Sequence, residues 1–190
     1  MSGHTGSGHT ASRHTASRNP ASRQQCADDE SRALDLIAAI AARLREARVP
    51  DCGKTPVYLE VLDALDAAAL KTWPKMPAAF VFPLSETFAA SRTLVAAVQK
   101  VETVVAVQTL IAAPNDPSGT RARSRLAGTI NASRRQLAGW CPGEGVSGVL
   151  TLRRGFMLGI EGGRIEWRDE YMLPWWFASG ERLAGEGRKG

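Results

Sequence analysis

The stretch 94–112 constrains the fold more than any other part of this chain. Val95, Val98, Val101, Val104, Val105 and Val107 give it a run of β-branched side chains, which are stiff at χ1 and favour extended backbone over helix. Apolar groups fall on both faces of such a strand, so neither side can be turned to water. A strand of this kind belongs inside a sheet, covered by helices on one or both faces. Residues 113–119, Ala-Pro-Asn-Asp-Pro-Ser-Gly, then form a loop, because two prolines and a glycine among small polar residues end any regular element.

Two segments supply the covering helices. In 29–48, Ile37, Ile40 and Leu44 recur at three and four residues, with Leu36 and Ala41 widening the stripe. Asp28, Asp29, Glu30 and Ser31 suit its positive end, Arg43, Arg45 and Arg48 its negative end, and Pro50 stops it. In 120–140, Leu126, Ile130 and Leu137 mark a buried stripe, while Arg121, Arg123, Arg125, Arg134 and Arg135 cover the exposed side. The simpler reading of these arginines is a solvated helix face; the functional one is contact with a phosphate backbone or an acidic partner. Gly128 and Asn131 keep this helix from being an ideal isolated one.

Shorter elements lie between. Residues 56–61 read as a short strand and 62–72 as a helix, with Pro74 and Pro77 breaking the chain after it. The run 78–84 reads as a buried strand leaving the sheet by Pro83, which has no amide hydrogen to give, and 85–92 as a polar loop. Near the end, 149–160 and 165–173 are two strands joined through Gly162-Gly163, a pair suited to a two-residue hairpin turn. Ile165, Trp167, Asp169, Tyr171 and Leu173 share one face of the second strand, and Glu166, Arg168 and Glu170 the other, charged one. Together these elements predict one α+β (α/β) domain over 28–177: a mixed sheet flanked by two main helices, closing on a C-terminal β-hairpin.

The flanks differ in composition. Residues 1–27 repeat Gly-His-Thr and Ala-Ser-Arg, carry no large apolar side chain beyond the first residue, and are expected to be a disordered arm; 178–190 are expected to be a flexible tail. Of the formal net charge of +5, the arm holds three positive charges (Arg13, Arg18, Arg23) and the tail one, which leaves 28–177 nearly neutral. That balance disfavours a specific DNA-binding face despite the basic total. The arm lacks the apolar core of a secretory signal, and no apolar run approaches the roughly 20 residues that span a bilayer. The chain is therefore expected to stay in the cytoplasm where it is made.

Chemistry-bearing patterns are missing. All three histidines, His4, His9 and His14, lie in the arm at a spacing that places no two on one helix face. Cys26, Cys52 and Cys141 make neither a CxxC pair nor an even set. No nucleophile elbow, phosphate-binding loop or dinucleotide fingerprint is present; Gly143–Gly148 is rich in glycine but is followed by a strand and no lysine. Asp169, Glu166 and Glu170 do not make a cation site, because alternation points Asp169 away from the other two. We expect no enzyme activity, no metal and no cofactor. Core packing leaves the aromatic end unexplained: Trp167, Tyr171, Trp175, Trp176 and Phe177 crowd into eleven residues. Trp175 and Trp176 are adjacent, so in an extended segment they face opposite ways, and large aromatics so placed are typical anchors between subunits.

Three stretches carry a resemblance. Pro77-Ala78-Ala79-Phe80-Val81-Phe82-Pro83-Leu84-Ser85-Glu86, then Val98-Gln99-Lys100-Val101-Glu102-Thr103-Val104-Val105-Ala106-Val107, and finally Gly159-Ile160-Glu161-Gly162-Gly163-Arg164-Ile165-Glu166-Trp167-Arg168-Asp169-Glu170-Tyr171 resemble the phage tail terminator-like (lambda-type) family. Leu137-Ala138-Gly139-Trp140, a helix closing on a tryptophan, fits the same pattern, and the similarity covers about 34–177. The resemblance implies a ring-forming structural subunit, a homohexamer, at the head-proximal end of the tail in the virion. It implies tail tube protein and a head–tail connector or neck protein as partners, with DNA passing through the lumen without sequence-specific binding. On that basis Arg92, Lys100, Trp175, Trp176 and Phe177 are the expected oligomer or tube contacts, and Arg121, Arg123 and Arg125 the expected lumen-facing bases. Another neck or tail-completion protein of similar fold is the alternative reading, and a basic DNA-binding protein a more distant one.

Overall fold

A computed structural model describes residues 32–49, 54–63, 73–91, 97–114, 116, 119–143 and 146–179. Helix α1 (Arg32–Arg45) is followed by strands β1 (Glu60–Asp63), β2 (Ala78–Phe88) and β3 (Ala97–Ala112). Helix α2 (Thr120–Leu137) and the hairpin β4 (Thr151–Glu161) and β5 (Arg164–Ser179) complete the domain. The strands make one sheet in the order β1-β2-β3-β5-β4. Only β1 and β2 run parallel; the other pairs are antiparallel, so the sheet is mixed and the fold α+β.

The valine-rich strand takes the centre. β3 pairs with β2 on one side and along its whole length with β5 on the other, from Ala97 opposite Ser179 to Ala112 opposite Arg164. Val101, Val105, Val107 and Ile111 point to the helix-covered face and are fully buried there. α1 contributes Ile37, Ile40, Ala41 and Leu44, the stripe predicted from its spacing, to the same core as Tyr58, Val81, Tyr171, Leu173 and Trp175. A smaller cluster of Ile111, Ala122, Leu126, Ile130 and Ile165 lies beneath the first turns of α2. Neighbouring positions of β3, Val104, Ala106 and Leu110, are also buried, although among the described residues no helix packs on their face.

Several boundaries differ from the sequence reading, each for a local reason. β2 does not end at Pro83 but runs on to Phe88, so most of the predicted 85–92 loop is strand. The register shifts between Pro83 and Ser85, and a bulge there absorbs the missing donor instead of ending the ladder. The short strand predicted at 56–61 lies at Glu60–Asp63, while Pro56 makes only an isolated bridge to Arg48. The helix predicted for 62–72 falls on β1 at 62–63 and beyond that outside the described residues, as do the 1–27 arm, Cys26, Cys52 and Arg92. α2 stops at Leu137 rather than 140, where Gly139 turns left-handed at φ 80°. At its start Asp116, not the capping position itself, satisfies a helix amide: Oδ2 accepts from the Ala122 N–H at 2.8 Å. The Gly162-Gly163 turn is as predicted, with φ of 55° and 73°, the left-handed pair that matches strand twist.

Candidate functional site

The sheet carries different chemistry on its two faces. On the helix side, alternation along β5 brings Asp169 into an otherwise apolar row, where its side chain is only 4% exposed. Arg134 reaches down from α2 and grips it with both ends of the guanidinium, Nε to Oδ2 at 2.8 Å and Nη2 to Oδ1 at 2.7 Å. Trp167 Nε1 donates to the same Oδ1 at 2.7 Å, and the Arg134 guanidinium lies 5.9 Å from the Trp167 ring centre. The carboxylate beside it raises the Arg134 pKa further, so this cation is permanent. Arg134 was expected on the solvated side of the helix; instead it pins the helix to the sheet.

Close to this pair, Tyr58 OH shares hydrogen bonds with Thr109 Oγ1 at 2.8 Å and with Ser133 Oγ, and Ser133 in turn donates to the Thr129 carbonyl at 3.0 Å. Burial raises the Tyr58 pKa against the opposing pull of these bonds. Tyr171 is raised by burial and then by the Asp169 charge, and its hydroxyl meets no partner among the described residues. The sign of the consequence is fixed. A phenol whose folded pKa lies above its unfolded value of 10.0 ionises first in the unfolded chain, so its stabilising contribution is intact below pH 10.0 and shrinks as pH rises above it. Urea titrations between pH 8 and 11 should therefore show stability falling by up to about 1.4 kcal/mol per pH unit for each buried tyrosine. Tyr171→Phe should flatten that slope while leaving neutral-pH stability unchanged or about 1 kcal/mol higher, because it removes an unmatched hydroxyl. Tyr58→Phe should flatten the slope but lose about 1–2 kcal/mol at neutral pH, since two hydroxyl partners are stranded.

The other face interleaves aromatics with charge. Arg154 clasps Glu170 through Nε at 2.7 Å and Nη2 at 3.0 Å, and stands 5.2 Å from the Phe156 ring centre. Glu170, on the charged face as expected, is nevertheless only 4% exposed. Gln108 donates to Glu166 at 3.1 Å and accepts from Arg168 at 3.3 Å, and Arg168 lies over Phe82. Arg164 sits 3.6 Å from the Trp73 ring centre. Trp73, Phe80, Phe82, Leu110, Asp63 and Glu166 bound a shallow cleft of about 470 Å³ here. At the far end of the strands Lys100, paired with Glu102 at 2.9 Å, lies opposite Trp176. Surfaces rich in arginine and aromatic groups recur where protein meets protein.

The structure separates the residues that the sequence grouped. Trp175 is 3% exposed inside its own subunit, and its Nε1 donates to Thr103 Oγ1 at 2.8 Å, so it has little surface to offer a neighbour. Trp176 and Phe177 are half-buried; Phe177 packs edge-to-face on Phe88 at 6.1 Å, on the side away from Trp176. Arg121, Arg123 and Arg125 are all exposed, but they do not make one row. At 100° per residue Arg121 and Arg125 fall on one flank of α2 and Arg123 on the opposite flank, toward β5. Arg125 rims a separate apolar groove between α2 and the 55–59 segment, a feature that sequence reasoning missed. Among the described residues no cluster of histidine, cysteine or acidic side chains could hold a metal ion.

Comparison with known proteins adds three findings. The sequence matches the model of the family described as "Phage tail terminator protein" over residues 30–175. Among solved structures, one chain of the "Virion of native gene transfer agent (GTA) particle" is similar at 18% identity with a TM-score of 0.43, covering 79% of this chain and 97% of that one. A comparison with curated proteins gives no match.

Proposed function

The chain belongs to the phage tail terminator protein family, and from that premise we propose that it caps the head-proximal end of a phage tail tube, stops the tube's polymerisation and offers a surface for joining the head. The family match carries this reading because it runs from the first described helix almost to the end of β5, the entire sheet and both helices. The site chemistry supports a structural role: Asp169 and Glu170, the most buried acids of the described residues, are each committed to an arginine rather than poised for proton transfer.

In this reading the subunit works in a homohexameric ring. The face bearing Phe82, Arg168, Lys100 and Trp176 meets the last ring of tail tube protein or the adjoining subunit, and Phe177 extends that contact around the edge. Of the three arginines expected at the lumen, Arg121 and Arg125 share one flank of α2 and Arg123 the other, so one flank lines the channel. Arg123, clear of the groove, lends positive charge where DNA passes, without reading its sequence. Electron microscopy of particles assembled without this chain tests the proposal. Tails of uncontrolled length, restored to a single length by added protein, are the expected result. Tails of normal length that lack heads would instead make it a neck adaptor.

A further inference from the structure

We propose that the β4–β5 hairpin tip of one copy seats in the groove between α2 and the 55–59 segment of the next, a head-to-tail contact between identical chains. This inference rests on the terminator reading, since a ring is built by repeating one such contact until it closes. It starts from apolar surface that the subunit leaves uncovered. Met157, Leu158 and Ile160 are 48%, 38% and 66% exposed, on the edge strand β4 just before the Gly162-Gly163 turn. Long exposed edges with apolar side chains are templates for association unless something covers them.

The opposite edge of the sheet holds a complement. Val49, Val57, Leu59, Pro77 and Ala132 line an apolar groove of about 290 Å³, far more than the roughly 30 Å³ of a single water. Leu59 at its rim is 59% exposed. Gly128 also lines it, and here the sequence departs from good helix design: glycine is the poorest helix former after proline, yet it stands in the middle of α2. The subunit's own packing does not require it, because a Cβ added at Gly128 would meet nothing within 4 Å. What the missing side chain does is keep the groove open.

Charge fits the same docking. Arg125 stands at the groove, and Glu161 follows Ile160 at the hairpin tip. β2, β3 and β5 separate β1, next to the groove, from β4, so a copy cannot fill its own groove. Patch and groove lie at opposite edges of the sheet, so one such contact leaves a groove free on one copy and a tip free on the other, and its repetition closes into a ring or runs on as a filament.

Light scattering and sedimentation of the full chain test this. Ile160→Asp and Gly128→Leu should each weaken self-association by roughly tenfold or more. Thermal melts should be unchanged for Ile160→Asp and unchanged or raised for Gly128→Leu, which improves helix propensity. Arg125→Glu and Glu161→Arg should each weaken association, and the double exchange should restore it. Assembly indifferent to Ile160→Asp and Gly128→Leu, a double exchange that restores nothing, or wild-type protein that stays single up to roughly 1 mM would each overturn the contact. Failure of the terminator reading is seen separately, in tail length, and does not depend on any of these variants.

Discussion

Trp175→Ala is expected to remove about 3–5 kcal/mol of folding stability, a large share of the roughly 5–15 kcal/mol that holds a domain of this size together. The indole lies opposite Val101 in the sheet, packs edge-to-face on Phe177 at 6.4 Å and hydrogen-bonds Thr103 Oγ1. Thr103 Oγ1 in turn donates a hydrogen bond to Glu86 Oε1 at 2.7 Å, so the tryptophan ends a polar chain as well as filling volume. Trp175→Phe keeps most of the volume and loses the donor, and should cost about 1–2 kcal/mol. Trp176→Ala, one residue on and on the opposite face, should cost less than about 2 kcal/mol, because the half-buried ring gives up less area. Urea denaturation of the three variants checks the order. Equal losses at 175 and 176 would mean that the two rings do not divide between core and surface as described.

That division was legible because strand periodicity is rigid: adjacent residues of an extended chain must part. The same rule placed β3 at the centre, from apolar groups on both faces, and set Trp167, Asp169, Tyr171 and Leu173 on one side of β5. Periodicity failed where one residue outweighed it. Pro83 looked like an exit from the sheet, but a proline only ends a ladder whose register is unbroken, and here a bulge takes it. β1 was mislocated because four residues on a parallel edge hold too few alternations to set a boundary.

The polar pairs were half-legible. An acid within an apolar alternating row, as at Asp169, demands a buried partner, and a glycine in mid-strand, as at Gly155, signals that something approaches closely. Neither fact says which arginine answers. Arg134 lies 35 residues before Asp169, and only the packing of α2 across β5 brings them together. The partner of Glu170 was not legible because its cross-strand neighbour depends on a register shift between Leu152 and Arg154 that no local pattern announces. The groove at Gly128 was hidden for a related reason: it is made by two segments far apart in the chain, and its one trace in the sequence is a glycine where a helix would rather have alanine.

Asp169→Ala should cost about 2–4 kcal/mol, somewhat less than the 3–5 kcal/mol typical when one partner of a fully buried pair is removed. The discount follows from Arg134, whose side chain keeps 31% of its exposure and so part of its hydration once the acid is gone. Arg134→Ala should cost more than Asp169→Ala, because it strands a carboxylate that is nearly sealed from water and, among the described residues, keeps only Trp167 Nε1 as a side-chain donor. Gly155→Ala tests the same pair without touching either partner. On β4, opposite Asp169 in the register, Gly155 leaves room for the bridge, and an added Cβ would collide with Asp169 Oδ1 and Arg134 Nη2. In the wild-type background this substitution should destabilise by about 2–3 kcal/mol. With Asp169 already alanine, one of the colliding atoms is absent and Arg134 is free to swing toward solvent, so the added loss should fall below about 1 kcal/mol. The difference between the two backgrounds, read from denaturant midpoints, measures the coupling of Gly155 to the ion pair. Additive losses would mean that Gly155 acts on the strand itself and that the bridge does not need its space.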